Sequence, residues 1–382
     1  MNSSRSIRRW YFIHKWSSLF TTLFMLLACI TGLPLIFSAE IDALKRALGN
    51  QVIAEEIDPS LEVSLDAMAK TARLNRPEAN LQLLFQDDAD PGVTSFAMGK
   101  QLDGPIGSSE FLRIENSTGD ALGAFRTSDG IMGFLFLVHS ELYAGVPGAL
   151  FLGLVSLLLA ASLISGIVLY SPFMRSRAFA VIRLDRGSRT KWFDLHNALG
   201  IVLAGWLLVV TVTGIINTLA APITQFWLIN DMQKIVDLDE TPLPTNQKRF
   251  SSIDDAVAVA QGAVGAGRML FVAMPGSELT SDRHYVVVFV GETPVTSRLY
   301  YGAIVNAYTG ELIAAPQLPW YLAITLLSQP LHFGDYGGFP LKVIWLVFGI
   351  GSLVLLWSGL VLWWKKRTVE PVIERTRRGQ LL

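Results

Sequence analysis

The chain has 382 residues, is 51% hydrophobic and only 16% charged, and carries a net charge of −1. That balance excludes an ordinary soluble enzyme and points to a membrane protein with soluble parts. Its one cysteine, Cys29, lies in an apolar run, which excludes a disulfide framework, a thiolate metal cluster or a covalent C-x-x-C-H haem site within one chain.

Residues 1–38 read as a basic tail (Arg5, Arg8, Arg9, Lys15) and a first span, uncharged over 16–38. That length crosses a hydrocarbon core of roughly 30 Å. Leu26 to Cys29 resembles a lipoprotein cleavage site, but the apolar run continues to Phe37, so a retained span is expected. Residues 39–130 form a first insertion, in which Ser64 precedes a short helix and Ile114 to Gly119 reads as a strand and turn. Residues 131–172 hold a short apolar, interfacial segment and the second span. Residues 173–192 are a loop with Arg175, Arg177, Arg183, Arg186, Arg189 and Lys191 against one acid, Asp185. The third span lies in 193–220. A second insertion, 221–318, repeats the earlier signals: Ser252 before a helix, and Val305 to Gly310 as a strand and turn. Tyr285 to Val290 reads as a buried strand. Residues 319–365 hold another interfacial segment and the fourth span, and 366–382 a basic tail. The positive-inside rule puts both termini and the basic loop in the cytoplasm and both insertions outside, in the periplasm if the cell is Gram-negative.

The two halves match. His139 and His332 each begin an H-x-x-x-Y-x-G-x-P stretch at the mouth of a span, through Tyr143 and Tyr336. His14 and His196 each follow a tryptophan by four residues and precede a Thr-Gly pair whose glycine, Gly32 or Gly214, lies 18 residues on. Gly166 and Gly359 each follow a serine and stand 27 residues past His139 and His332. The expected fold is therefore an α-helical four-helix transmembrane bundle from an internal duplication, with two α+β external insertions and a pseudo-twofold axis along the membrane normal. It pairs His14 with His196 at the inner face and His139 with His332 at the outer.

Paired imidazoles inside a bundle fit b-type haem, which needs no cysteine. Two haems, one near each face, would make an electron path, with the four glycines giving room to the porphyrin. Arg8, Arg9, Lys15, Arg189 and Lys191 would neutralise the inner propionates. Interfacial histidines and Thr-Gly or Ser-Gly packing sites offer a plainer explanation of the same residues. A closed zinc site lacks a third ligand. His284 has no counterpart in the first half and reads as a surface or structural residue. Tyr143, Tyr336, Trp320 and Tyr321 flank the outer histidines, as an electron exit, a substrate rest or an interfacial aromatic belt. No dinucleotide fingerprint occurs, so electrons come from a separate cytoplasmic donor or a quinone. Nothing points to nucleic acid, and no catalytic residue is assigned.

The four spans, the paired histidines, the Ser64-Leu65-Asp66 and Ser252-Ile253-Asp254 helix starts, and the two Asn-to-Thr-Gly turns resemble the PepSY-associated transmembrane family. The resemblance implies PepSY-like insertions and a cytoplasmic-membrane oxidoreductase that binds two haems b and passes electrons outward to ferric siderophore. By position, His14 and His196 become the axial ligands of the inner haem, and His139 and His332 those of the outer. Rival expectations are a regulatory, peptide-binding membrane protein without redox activity, and a siderophore or iron transporter. The uncharged centres of all four spans speak against transport.

Overall fold

The computed structural model describes residues 2–48, 62–86, 90–174, 179–183, 185, 187–239, 241, 250–265, 267–291, 293 and 296–379. Arg175, Arg177 and Arg186 of the basic loop lie outside them. The helices in chain order are α1 (Asn2–Leu35), α2 (Ser38–Leu48), α3 (Leu65–Asn75), α4 (Gly130–Glu141), α5 (Gly145–Met174), α6 (Ser188–Thr218) and α7 (Ala220–Trp227). They continue with α8 (Gln233–Val236), α9 (Ile253–Val264), α10 (Trp320–Phe333) and α11 (Gly338–Gly379). The strands are β1 (Asn80–Gln86), β2 (Val93–Gly99), β3 (Glu110–Glu115), β4 (Ala121–Phe125), β5 (Arg268–Ala273), β6 (His284–Val290), β7 (Tyr300–Asn306) and β8 (Leu312–Ala314). The chain divides into a helical unit (Met1–Phe37, Leu135–Leu219, Ser328–Leu382) and a sheet unit (Ser38–Phe134, Ala220–Leu327).

In the helical unit, α1, α5, α6 and α11 are long and apolar enough to cross a membrane. α1 packs on α5, α5 on α6, α6 on α11 and α11 on α1, so the four close a ring. Large apolar residues such as Leu23, Leu154, Val347 and Trp357 point outward and exposed, as a lipid-facing surface requires. Leu203, Leu207 and Leu355 pack inside with Trp206 and Phe348. At the start of α6, Asp194 is buried and takes a two-pronged bond from Arg183, Nε and Nη2 each donating over 2.8 Å.

The two insertions meet in the sheet unit. The two insertions do not build two separate sheets. They share one eight-stranded antiparallel sheet in the order β4-β3-β2-β1-β5-β6-β7-β8. Each insertion supplies a four-stranded meander, and β1 pairs with β5 through Leu83 with Ala273, Leu84 with Val272 and Phe85 with Phe271. Either meander alone would leave an apolar inner strand with an open row of backbone donors and acceptors, and the joint removes both edges at once. Helices α3 and α9 cover one face, burying Met68, Ala72, Ala256 and Ala260 against Phe96, Val272, Tyr285 and Phe289. Trp227, Met232 and Val236 cover part of the other, against Phe111, Val286 and Ile304. Each large side chain so buried contributes about 2 kcal/mol.

The expected helix starts are present, with an addition. Ser64 caps α3 through the Ala67 amide, and Ser252 caps α9 through the Asp255 amide. The aspartate two residues after each serine caps the other helix. Asp66 accepts from the Ile253 amide and the Ser252 hydroxyl, while Asp254 accepts from the Leu65 and Asp66 amides. Burial pushes Asp66 up, but the hydrogen bonds it receives from Ser252, Ile253 and Asp254 outweigh that and hold it below the usual carboxylate range. Burial and the neighbouring Asp66 raise Asp254. Asp66→Ala is expected to cost about 1–2 kcal/mol in denaturant unfolding, and Asp66→Asn clearly less, because asparagine still caps and removes the like charge facing Asp254.

Candidate functional site

The four histidines at the span mouths all lie in the helical unit and meet in two pairs. The ring centres of His14 and His196 are 6.3 Å apart, with the planes at 67°. Those of His139 and His332 are 6.2 Å apart, at 61°. His14 is on α1 and His196 on α6, and His139 and His332 stand near the ends of α4 and α10.

Each histidine is held by its own half and faces a mate from the other. His14 Nδ1 donates to the Ser162 carbonyl (2.9 Å) and His139 Nδ1 to the Ala28 carbonyl (3.0 Å). His196 Nδ1 donates to the Leu355 carbonyl (3.3 Å) and His332 Nδ1 to the Val210 carbonyl (3.0 Å). A hydroxyl stands beside each: Ser165 at 3.4 Å, Thr31 at 3.1 Å, Ser358 at 2.8 Å and Thr213 at 3.3 Å. Those hydroxyls already donate to carbonyls of their own helices, so their oxygens are left to accept. A carbonyl and a spent hydroxyl both require a donor, which assigns the proton of every ring to Nδ1. The lone pair is then on Nε2, which has no hydrogen-bond partner among the described residues. An imidazole fixed through Nδ1–H with Nε2 free is the form in which histidine binds metals.

An imidazole edge lies against each of the four glycines. The space they open is filled by imidazole. A Cβ on Gly32 would lie 2.7 Å from His139 Cε1, and one on Gly166 3.1 Å from His14 Cε1. On Gly214 it would lie 3.2 Å from His332 Cε1, and on Gly359 3.4 Å from His196 Cε1. In each Thr-Gly or Ser-Gly pair the hydroxyl takes the Nδ1 proton and the glycine admits the ring edge. The carbonyl acceptors were not visible in the sequence, because any residue offers one. The hydroxyls carried a signal, their fixed place before the glycine.

A metal–imidazole bond is about 2 Å long and the ring centre lies roughly 1 Å behind the bonding nitrogen, so two imidazoles on opposite sides of one metal have centres about 6 Å apart. Both pairs meet that spacing. Among the described residues no group of three or more His, Cys, Asp or Glu side chains stands together, so no third side chain of those types completes either pair.

The flanking aromatics divide between the units. Tyr143 is exposed in the turn between α4 and α5, where Leu142 and Tyr143 both adopt positive φ (52° and 59°). Tyr336 is half-buried in the matching turn before α11. Trp320 and Tyr321 belong to the sheet unit, where the Tyr321 hydroxyl donates to Asp231 and Trp320 is 73% exposed.

His284 is not a surface residue. It is fully buried in the sheet unit. Its Nε2 donates to Asp239 over 2.8 Å and its Nδ1 accepts from the Ser281 hydroxyl over 2.6 Å. Asn306 Nδ2 also donates to Asp239, over 2.7 Å.

The model of the PepSY-associated TM region matches residues 11–366, which takes in both histidine pairs and both meanders. The chain belongs to this family. As a PepSY-associated TM protein it is a multi-pass membrane protein with four apolar spanning helices. It is 29% identical over 256 residues to an uncharacterized protein of Pseudomonas aeruginosa, covering 62% of this chain and 64% of that one. The match thus spans less than two thirds of the relative's length.

Proposed function

We propose that this PepSY-associated TM protein binds two haems b, one at each histidine pair, and carries electrons across the cytoplasmic membrane of a bacterium to ferric siderophore on the periplasmic side. The observation that supports this most is the common state of the four histidines: Nδ1–H tied to a carbonyl, Nε2 free, and ring centres 6.3 and 6.2 Å apart in the two pairs. The four spans and the paired histidines also resemble the ferric-siderophore reductase FoxB, and the choice of substrate rests on that resemblance.

Bound haem would supply one-electron chemistry at two levels of the bundle. The chain's own part is to fix the imidazoles. Each carbonyl holds the tautomer, each Ser or Thr oxygen shares the Nδ1 proton, and each glycine sets how closely the ring approaches its helix. The electron donor is a quinone or a separate cytoplasmic protein. Gain of an electron weakens the hold of hard oxygen ligands on the iron of the chelate, which aids its release and uptake.

Purified protein is expected to show a low-spin b-type spectrum, and the reduced form to be reoxidised by a ferric trihydroxamate. Haem without reoxidation removes the substrate and leaves the binding. Absence of haem removes both and returns the reading to a peptide-binding regulatory protein.

A further inference from the structure

Between the two histidine pairs the second half carries two indoles in edge-to-face contact. Trp206 on α6 stands ten residues after His196 and eight before Gly214, the glycine against which His332 rests. At 1.5 Å per residue that is about 15 Å from the level of one pair and about 12 Å from the level of the other. Its ring meets Trp345 of α11 edge to face, with centres 6.1 Å apart at 84°, and Phe348 at 5.7 Å. Trp345 Nε1 in turn donates to the backbone carbonyl of His332 itself, over 3.2 Å. Gly334 (φ +78°) makes the seat for that indole, since a Cβ there would lie 2.5 Å from the ring.

The first half has the same layout in a different material. Phe24 stands ten residues after His14 and meets Phe151 of α5, with centres 5.1 Å apart at 72°. Glu141 takes the place of Gly334, and Leu152 stands thirteen residues after His139, where Trp345 stands after His332. Two halves that agree at the paired histidines, the hydroxyls beside them and the glycines against which they rest therefore differ here. One has phenyl rings with no polar link to its histidine, and the other has indoles with a hydrogen bond to the backbone of His332.

The geometry points to Trp206 and Trp345 as the medium through which an electron crosses between the two sites, which makes the second half the conducting one. The inference rests on the two-haem reading above. One electron leaves the His14–His196 site and one arrives at the His139–His332 site. The indoles are neither oxidised nor reduced overall, and no proton moves. Trp206 agrees with a bridging role: its Nε1 is buried with no hydrogen-bond partner among the described residues. An oxidised indole there would have nothing to take its proton and little to stabilise its charge. The electron accordingly passes through the pair without stopping on it. Both tryptophans are positioning residues of the path and touch neither site's bonding nitrogens.

The test uses the full chain in proteoliposomes with an impermeant reductant on one side, and follows haem reduction in time. Reduction of the near site gives the fast phase, and transfer to the far site the slow one. Trp206→Phe and Trp345→Phe are each expected to slow the second phase at least fivefold, with the double variant no worse than the slower single. Haem content, spectra, midpoint potentials and the first phase should stay unchanged. Phe24→Leu should leave both phases alone. A second phase within twofold of wild type in both tryptophan variants overturns the inference, even when both haems are present. A wild type that binds no haem sinks the two-haem reading and this inference with it, and the spectrum tells the two failures apart. Haem-free protein gives an independent readout. Two indoles in contact at this distance and angle produce an exciton couplet in the far-UV indole band of the circular dichroism spectrum, expected to vanish in either single variant. Its persistence in either one means the indoles are not coupled and also overturns the inference.

Discussion

Replacing His332 by alanine is expected to remove one of the two haems and spare the other. His139 keeps its carbonyl and its glycine on its own half, yet it loses the only other imidazole at that level. The His14–His196 pair lies near the opposite ends of the same helices: Gly214, which receives His332, is 18 residues from His196 on α6, about 27 Å along the axis. Haem stoichiometry by pyridine extraction should therefore halve, with a residual low-spin spectrum. Retention of both haems in His332→Ala would show that the pair is not a ligand set. The glycines give a graded companion series. Gly32→Ala places a methyl 2.7 Å from His139 and should disturb that site severely, whereas Gly359→Ala, at 3.4 Å from His196, meets ordinary contact and should be tolerated. Haem content in the two variants measures the difference.

Asp239→Ala is expected to be the most destabilising single change in the sheet unit, by about 3–5 kcal/mol, because it strands His284 and Asn306 in a dry site. The same cluster makes the unit acid-sensitive. Burial lowers His284 despite the nearby Asp239 carboxylate, so the folded protein resists a proton that the unfolded chain accepts below about pH 6.5. Burial pushes Asp239 up, but bonds from Thr241, His284 and Asn306 overcome this and hold it at about 2. In both cases the unfolded state binds more protons on the acid side. Stability is then complete above about pH 7, falls first as His284's ordinary range is crossed, and falls again below about pH 4. His284→Gln should flatten the first decline and leave the second, and unfolding midpoints between pH 7 and 3 will show whether it does.

The spans and histidine spacings were legible because membrane helices announce themselves by composition and an 18-residue interval returns a side chain to the same helical face. The structure pairs the histidines that those spacings grouped. The glycines were legible as gaps but not as seats, since a missing side chain does not say which neighbour fills the space. The Nδ1 acceptors are backbone carbonyls of Ser162, Ala28, Leu355 and Val210, and no residue type betrays them. In the insertions, the capping serines and the turns at Gly119 and Gly310 followed from local chemistry. The β1–β5 joint did not, because strand partners 186 to 190 residues apart carry no local mark. His284 read as surface or structural, and the structure makes it structural; the sequence could not choose because its partner Asp239 is 45 residues away and becomes relevant only when the chain folds.

That joint has a consequence in time. Strands β1 to β4 leave the ribosome well before Arg268–Ala273 exist, and two further membrane helices must be made in between. Until then β1 offers Leu83, Leu84 and Phe85 along an open backbone edge, the kind of template on which nascent chains pair wrongly. The first insertion is therefore a half-finished object during synthesis. Its safe completion depends on how quickly the second arrives, so slowing translation between α5 and β5 should raise misassembly without altering a single residue.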